Sequence, residues 1–535
     1  MKAKRLLISC FALLTAMAAR ADVRVNATNF PDENFRNWVL EQEYGEDGVL
    51  TYEEIASVES LLVDGKKIKS LKGIEYFTEL TMLFCGRNQL TSLDVSENTE
   101  LVYLNCAENQ LTSINVSGNT ELEDLYCQRN QLTSIDVSKN TRLYYLYCEK
   151  NQLTALDVSK HKRLSKLWCN ENQLTSLDVS RCDNLSELRC HNNQLTSLDV
   201  SKNVWLKVLE CYSNQITSLD VSHNTRLSRL ECGGNQLTSL DVSHNTALKS
   251  LGCYNNQLTS LDMSYNTDLT YLACGLNQLT SLDVSKNTKL TLLHCHENQL
   301  TALDVSQNIA LKELSCNENQ LTSLDVSKNT ELEELYCYEN QLTTLDVTKN
   351  NVLTRLWCYD NQLTSIEASQ NNTLYFLWCS NNQMTSFDWS KFTQMGILYC
   401  DNNQLTSLDL SKNTQLKRLS CYQNKIEGAA MDSLVESLPT VTQGIPLDDG
   451  TLRVIYNENE QNEMTAEQAA TAKAKGWTLQ YFDGSSWQVY DGPDGIKDID
   501  HSPLTIDHYY NLAGQRLQKM QKGINIIGGK KVLLK

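Results

Sequence analysis

Between Val58 and Leu438 apolar residues return at fixed places in a block of 21 residues that restarts, for most of its length, without insertion. In the block Leu101 to Glu121, LVYLNCAENQLTSINVSGNTE, those places are Leu101, Leu104, Cys106, Leu111, Ile114 and Val116. Around Leu104 and Cys106 the pattern alternates, with Tyr103, Asn105 and Ala107 on the opposite side, which is the period of a strand. About a dozen residues remain to bring the chain back, too few for a full helix, so turns, short extended pieces or 3-10 segments are predicted there. A unit this small cannot bury its own apolar side. Identical turns must therefore stack, and the pattern predicts a solenoid with one parallel strand per turn.

Two polar places recur with the apolar ones. Asn109 has counterparts at Asn88, Asn130, Asn151 and on to Asn403 and Asn424. An amide held inside needs partners, and a ladder of amides can satisfy backbone groups where the chain leaves the strand. A second series runs through Asn98, Asn119, Asn140, Asn203 and Asn224 in the phrase DVSxNT, whose Asp and Ser side chains can close turns locally. It is interrupted at His161, Cys182 and Phe392, so the outer edge is expected to be the less constrained one. Seventeen cysteines, Cys85 to Cys421, repeat every 21 residues. Each stands where an inward apolar residue belongs, and free cysteine behaves as a small buried hydrophobe. Strands about 4.8 Å apart hold such thiols in a line. A line suits neither disulfide geometry nor the convergent ligands of zinc, so reduced packing is expected. Cys182 lies off the ladder and is the candidate reactive thiol, beside the simpler reading that it replaces the outer asparagine.

Open sheet ends require caps. Phe30 to Glu43 is predicted as a helix with Phe35, Trp38 and Val39 on one face. A second helix begins at Thr51, with Glu54 completing a capping box. Glu43, Asp47, Gly48, Leu50 and Glu54 also fall at EF-hand-like positions. Gly45 and Thr51 break that match, and the capping box explains Glu54 without a metal. After Asn424, KIEGAAMDSLVESLP is predicted helical. Leu452 to Tyr456 reads as a strand, Thr465 to Lys475 as a helix, and Trp477 to Phe482 with Trp487 to Tyr490 as a hairpin. The expected organisation is a signal peptide over 1–21, a helical cap over 22–57 and the solenoid over 58–438. A small α+β cap (439–490), a linker (491–503) and a basic tail (504–535) follow. The leader rests on Lys2, Lys4 and Arg5, the apolar run Leu6 to Ala19, and cleavage before Asp22. A lipoprotein alternative at Leu7 to Cys10 places its cysteine too early in that run.

With cysteine in place of its third leucine, the block resembles the leucine-rich repeat LxxLxLxxNxL over roughly Val58 to Leu438, and is most similar to the cysteine-ladder internalins. The resemblance implies an α/β leucine-rich-repeat solenoid, a horseshoe with its parallel sheet on the concave face and turns on the convex one. It further implies adhesion or binding of a host protein, without catalysis. Tyr509 to Leu517 (YYNLAGQRL) and Lys522 to Lys535 (KGINIIGGKKVLLK) resemble the tails of type IX secretion cargo. That implies a secreted or outer-surface protein of a Gram-negative bacterium.

The chain carries a formal charge of −18, about −22 once the four basic residues of the leader are removed. That argues against nucleic acid as a partner. No HExxH, GxSxG or complete P-loop motif occurs. Gly523 to Lys530 comes near a P-loop but has Gly529 where the lysine belongs. No cofactor and no catalytic or metal-binding residue is expected. His294 and His296 share a strand and read as variable surface positions. Specificity is expected in the outward strand residues, where aromatics gather in two runs. Tyr126, Tyr147 and Trp168 form the first, and Tyr336, Tyr338, Trp357, Tyr359, Trp378 and Tyr399 the second. Exposed aromatic tracks mark protein or sugar recognition. A protein ligand is the expected partner, with a glycan as the alternative and a surface layer without a ligand as the third reading.

Overall fold

The structure, a computed structural model, describes residues 22–368, 371–441, 450–456, 460–482 and 485–490, with the strands 509–510, 516–517, 523–527 and 530–534. The expected leader and linker lie outside these residues. The described chain forms two compact units. One runs to Phe387 and includes Lys391–Met395; the other contains Asp388–Ser390 and everything from Gly396 on.

The first unit opens with β1 (Val23–Arg24), paired antiparallel with β2 (Val49–Leu50). Between them lies α1 (Glu33–Leu40), shorter than the Phe30 to Glu43 expected from the sequence. Asp32 sets its start: one carboxylate oxygen accepts from Phe35 N at 3.0 Å, and the other from Lys69 N at 2.7 Å, tying the cap to the first turn. The helix ends where Glu41 N closes onto Asn37 O, ahead of a turn in which a side chain at Gly45 would collide with Val39 O. The second helix, α2 (Tyr52–Ser57), has the predicted capping box of Thr51 and Glu54. Glu54 is thereby committed to Thr51, and Asp47 accepts from Val49 N at 2.8 Å, so two residues of the EF-hand-like set serve the backbone.

From Ser60–Leu62 to Phe376–Trp378 the unit is one parallel sheet, a three-residue strand per turn. Neighbouring strands pair in register; after a first step of 22 residues from Leu61 to Leu83, each residue lies opposite its equivalent 21 positions on, as in Leu104 to Leu125 and Leu125 to Leu146. The middle residue of each strand and the cysteine two places later are buried, and the flanking residues are half-buried or exposed. All the described cysteines are free and buried. The return paths are turns, with a 3-10 turn at Ile74–Tyr76 and a second pair of short strands, Thr344–Asp346 with Ser365–Glu367. The Asp of DVS closes the return path, as where Asp136 Oδ1 accepts from Ser138 N at 2.9 Å.

Both asparagine ladders are structural. Asn109 donates from Nδ2 to Cys85 O (3.0 Å) and Cys106 O (3.1 Å), while its Oδ1 accepts from Leu90 N (2.9 Å), so one amide joins consecutive turns. The residue before it is left-handed in turn after turn (Glu108, φ 54°), which aims the amide inward at the expense of backbone strain. The second ladder corrects the expectation of a lax outer edge. Asn98, Asn119, Asn140 and all their asparagine successors but Asn371 are fully buried, deeper than most of the inner series. Asn119 Nδ2 donates to Val95 O (3.0 Å) and Asn98 O (2.8 Å). Where the series is interrupted, the donor survives in another form. His161 Nε2 meets Val137 O at 3.1 Å, and Cys182 Sγ faces Val158 O at 3.7 Å. Beside Phe392 the ammonium of Lys391 reaches Ala368 O at 2.9 Å.

The second unit repeats the logic over a broken period. Strands Ile397–Tyr399, Arg418–Ser420, Thr451–Arg453 and Thr478–Phe482 are arranged in that order, and Trp487–Val489 closes the row antiparallel. Helix α3 (Ala429–Ser437) buries Met431, Leu434 and Val435. Helix α4 (Ala466–Ala474) starts at a Thr465/Gln468 capping box. Asn462 takes the inner-ladder role without the period: its Oδ1 accepts from Ile426 N at 2.9 Å and its Nδ2 donates to Cys421 O at 2.8 Å. The basic tail forms a four-stranded antiparallel sheet in the order 516–517, 509–510, 523–527, 530–534.

Candidate functional site

The outward face of the sheet is where turns differ from one another. Three columns of side chains stand on it, two of which, immediately before and after the cysteine, carry the aromatic residues picked out above. The third begins each strand and adds Tyr103, Tyr145, Tyr271 and Phe376. The alternation that placed the other two columns places this one too.

The first aromatic group is continuous. Tyr103 contacts Phe84 (ring centroids 4.5 Å apart) and Tyr126 (5.1 Å); Tyr126 meets Tyr147 edge-on at 4.8 Å, and Tyr147 stacks on Trp168 at 4.3 Å. Trp168 is closed off by Arg189, whose guanidinium lies 4.2 Å over its ring, and by Glu187, which accepts from Nε1 at 3.0 Å. In the second group Tyr338 stacks on Tyr359 (4.4 Å) and Tyr359 on Trp378 (4.2 Å), while Trp357 meets Tyr336, Phe376 and Trp378 edge-on. Tyr336 donates to the Glu334 carboxylate. Tyr399 belongs to the second unit, with its neighbouring strand Arg418–Ser420. These rings are not open tracks as expected. Each of the nine singled out from the sequence is half-buried, because stacked turns bring its neighbours against it.

Between the groups the face is charged and tightly paired. Glu210, 5% exposed, receives Arg229 Nε at 3.0 Å and Arg189 at 3.6 Å. Burial holds His191, beside it, neutral, with a pKa lowered to about 4. His294 is hydrogen-bonded to Glu313 at 2.8 Å, and His296 lies over Gly275. Burial raises Glu149, in the first group, to about 7, and its Oε2 has no hydrogen-bond partner. Cys182, the candidate reactive thiol, is buried and pushed up to about 12, which makes it inert as a nucleophile. Among the described residues no three His, Cys, Asp or Glu side chains converge as a metal site, and no helix is long and apolar enough to cross a membrane.

This is the architecture of a leucine-rich-repeat solenoid. The functional domain of InlJ from Listeria monocytogenes, which includes a cysteine ladder, is 32% identical over 77% of this chain and 83% of its own, with a TM-score of 0.59. The chain belongs to these internalin-type, cysteine-ladder leucine-rich-repeat proteins. A leucine-rich-repeat protein of Leptospira interrogans is 24% identical over 72% of this chain and 95% of its own (TM-score 0.54). A plant peptide hormone receptor, RGFR1, in complex with RGF2, is 18% identical over 76% and 78% (TM-score 0.60); both show the same fold. No family model and no curated protein matches the chain.

Proposed function

We propose that this is a secreted or cell-surface binding protein of the adhesin type, non-enzymatic, whose outward sheet face captures a host or partner protein. The observation that carries the reading is the distribution of variation. Inward positions repeat turn after turn, whereas the outward columns change residue by residue and concentrate large rings at Tyr126, Tyr147 and Trp168 and at Tyr336, Tyr338, Trp357, Tyr359 and Trp378, with Tyr399 in the second unit. Rings preorganised by stacking bind at small entropic cost, as anchor residues of protein interfaces do. Membership of the internalin-type family supports a binding role. The basic tail, similar to secretion cargo, supports export to the outer surface of a Gram-negative bacterium. The test sets an array of host proteins against a glycan array, with the wild type and the double variant Trp357→Ala/Trp378→Ala. Saturable protein binding lost in the variant supports the proposal; binding to sugars, lost in the same variant, replaces it with glycan capture.

A further inference from the structure

Midway along the face the side chains become small. Going from turn to turn, one column reads Glu210, Glu231, Gly252, Ala273, and the next reads Tyr212, Gly233, Tyr254, Gly275. In the same stretch lies a recess of about 520 Å³, open to solvent and lined by Tyr212, Arg229, Glu231, Ser250, Tyr254 and Tyr271, while Glu231, Tyr254 and His296 lean over Gly252, Gly233 and Gly275.

Glu231 is the group this recess is built around. It is only 7% exposed, an unusual state for a carboxylate that lacks full pairing. Its Oε1 accepts from Ser250 Oγ at 3.1 Å and lies 3.5 Å from Arg229 Nη2. Arg229 is shared, with its Nε committed to Glu210 at 3.0 Å. Both contacts of Glu231 are thus made by Oε1, which leaves Oε2 to the recess. It extends over Gly252, where an added Cβ would lie 1.9 Å away, so the glycine is what gives the carboxylate its place. Burial raises the phenols of Tyr212, Tyr254 and Tyr271, and the Glu231 carboxylate raises each of them further, opposed at Tyr271 by Arg229.

A carboxylate oxygen without a hydrogen-bond partner among the described residues, walled by three tyrosine rings, complements a cation on an apolar stem. The stem packs on the ring faces and the head reaches the acceptor. We infer that the recess receives one basic side chain, lysine or arginine, of the protein ligand, with Glu231 Oε2 as counter-ion and Tyr212, Tyr254 and Tyr271 as walls. The inference rests on the proposed protein-binding role of this face and names what one part of that ligand must present.

The probes are three capped tripeptides, acetyl-Gly-Lys-Gly-amide and its Arg and Glu counterparts, observed by saturation-transfer NMR on the full chain at up to ~10 mM, a range suited to a one-residue contact. The Lys or Arg peptide should bind and the Glu peptide should not. The isosteric Glu231→Gln should weaken that binding about fivefold or more, the loss of one charge-assisted bond. Tyr254→Ala should weaken it as well, and Trp357→Ala/Trp378→Ala should leave it intact. Absence of basic-peptide binding, equal binding of the Glu peptide, or unchanged binding in a folded Glu231→Gln protein overturns the inference. Those results leave the proposed function standing wherever protein capture is still lost in the Trp357/Trp378 variant.

Discussion

Removing one amide from the buried outer ladder should lower stability, although it lies on the return path. Asn266 is fully buried and donates to Val242 O at 3.0 Å and to Asn245 O at 2.9 Å. Replacing it by leucine removes both bonds while Val242 O keeps Asn245 N and Asn245 O keeps Leu248 N, a loss of about 1–3 kcal/mol at about 0.5–1.5 kcal/mol for each bond. Part of this is returned, because Asn266 Oδ1 is itself buried without a partner. Its removal relieves at least about 1 kcal/mol, leaving a net cost of up to about 2 kcal/mol. The same reasoning runs backwards at Cys182, where a thiol at 3.7 Å from Val158 O stands in for an amide. Cys182→Asn should supply proper donors to Val158 O and to the carbonyl of His161, stabilising the chain by about 1 kcal/mol. Thermal unfolding followed by circular dichroism, at fixed scan rate, reads both. Asn266→Leu should melt lower than wild type and Cys182→Asn higher. A Cys182→Asn protein that melts below wild type, or an Asn266→Leu protein that melts with it, would refute the role assigned to this ladder.

The remaining predictions concern buried ionisable groups and the recess. Glu149 is raised by burial from 4.5 to about 7, so in the folded chain it stays protonated where the unfolded chain is ionised. Stability is therefore whole below about pH 4.5 and declines as pH rises to 7. Glu149→Gln should raise the melting temperature at pH 8, by no more than the equivalent of about 3 kcal/mol, and leave it unchanged at pH 4. The described cysteines are buried, and burial raises ladder thiols such as Cys106 and Cys211 to about 12. A thiol reagent at pH 8 should leave them unmodified in the native protein and label them on denaturation, and rapid native labelling would contradict the packing described. The basic tripeptides should bind the Glu231 recess as set out above.

What the sequence made legible followed from strict periodicity. Leu104 and Cys106 had to face inward because the strand has a period of two and the block repeats, and the capping box at Thr51 follows from residues three apart. The outer ladder was misjudged because interruptions at His161, Cys182 and Phe392 looked like tolerance. In the fold each keeps a donor on the same carbonyl row, supplied by imidazole, thiol or the neighbouring Lys391, and no letter-by-letter comparison equates those groups. Asn462 continues the inner ladder from a position the period does not mark. The aromatic columns were legible, but their half-burial was not, since it depends on how rings lean across neighbouring turns. The recess escaped for the same reason: Gly252 reads as a weak strand residue until Glu231 is seen lying over it.

The central claim is that the outward aromatic face captures a protein. The most direct measurement is equilibrium binding of the purified chain to proteins recovered from a host-protein array, comparing wild type with Trp357→Ala/Trp378→Ala. Removal of two interface anchors predicts a loss of about tenfold or more in affinity, with the melting temperature unchanged. Undiminished affinity in the folded double variant would contradict the account.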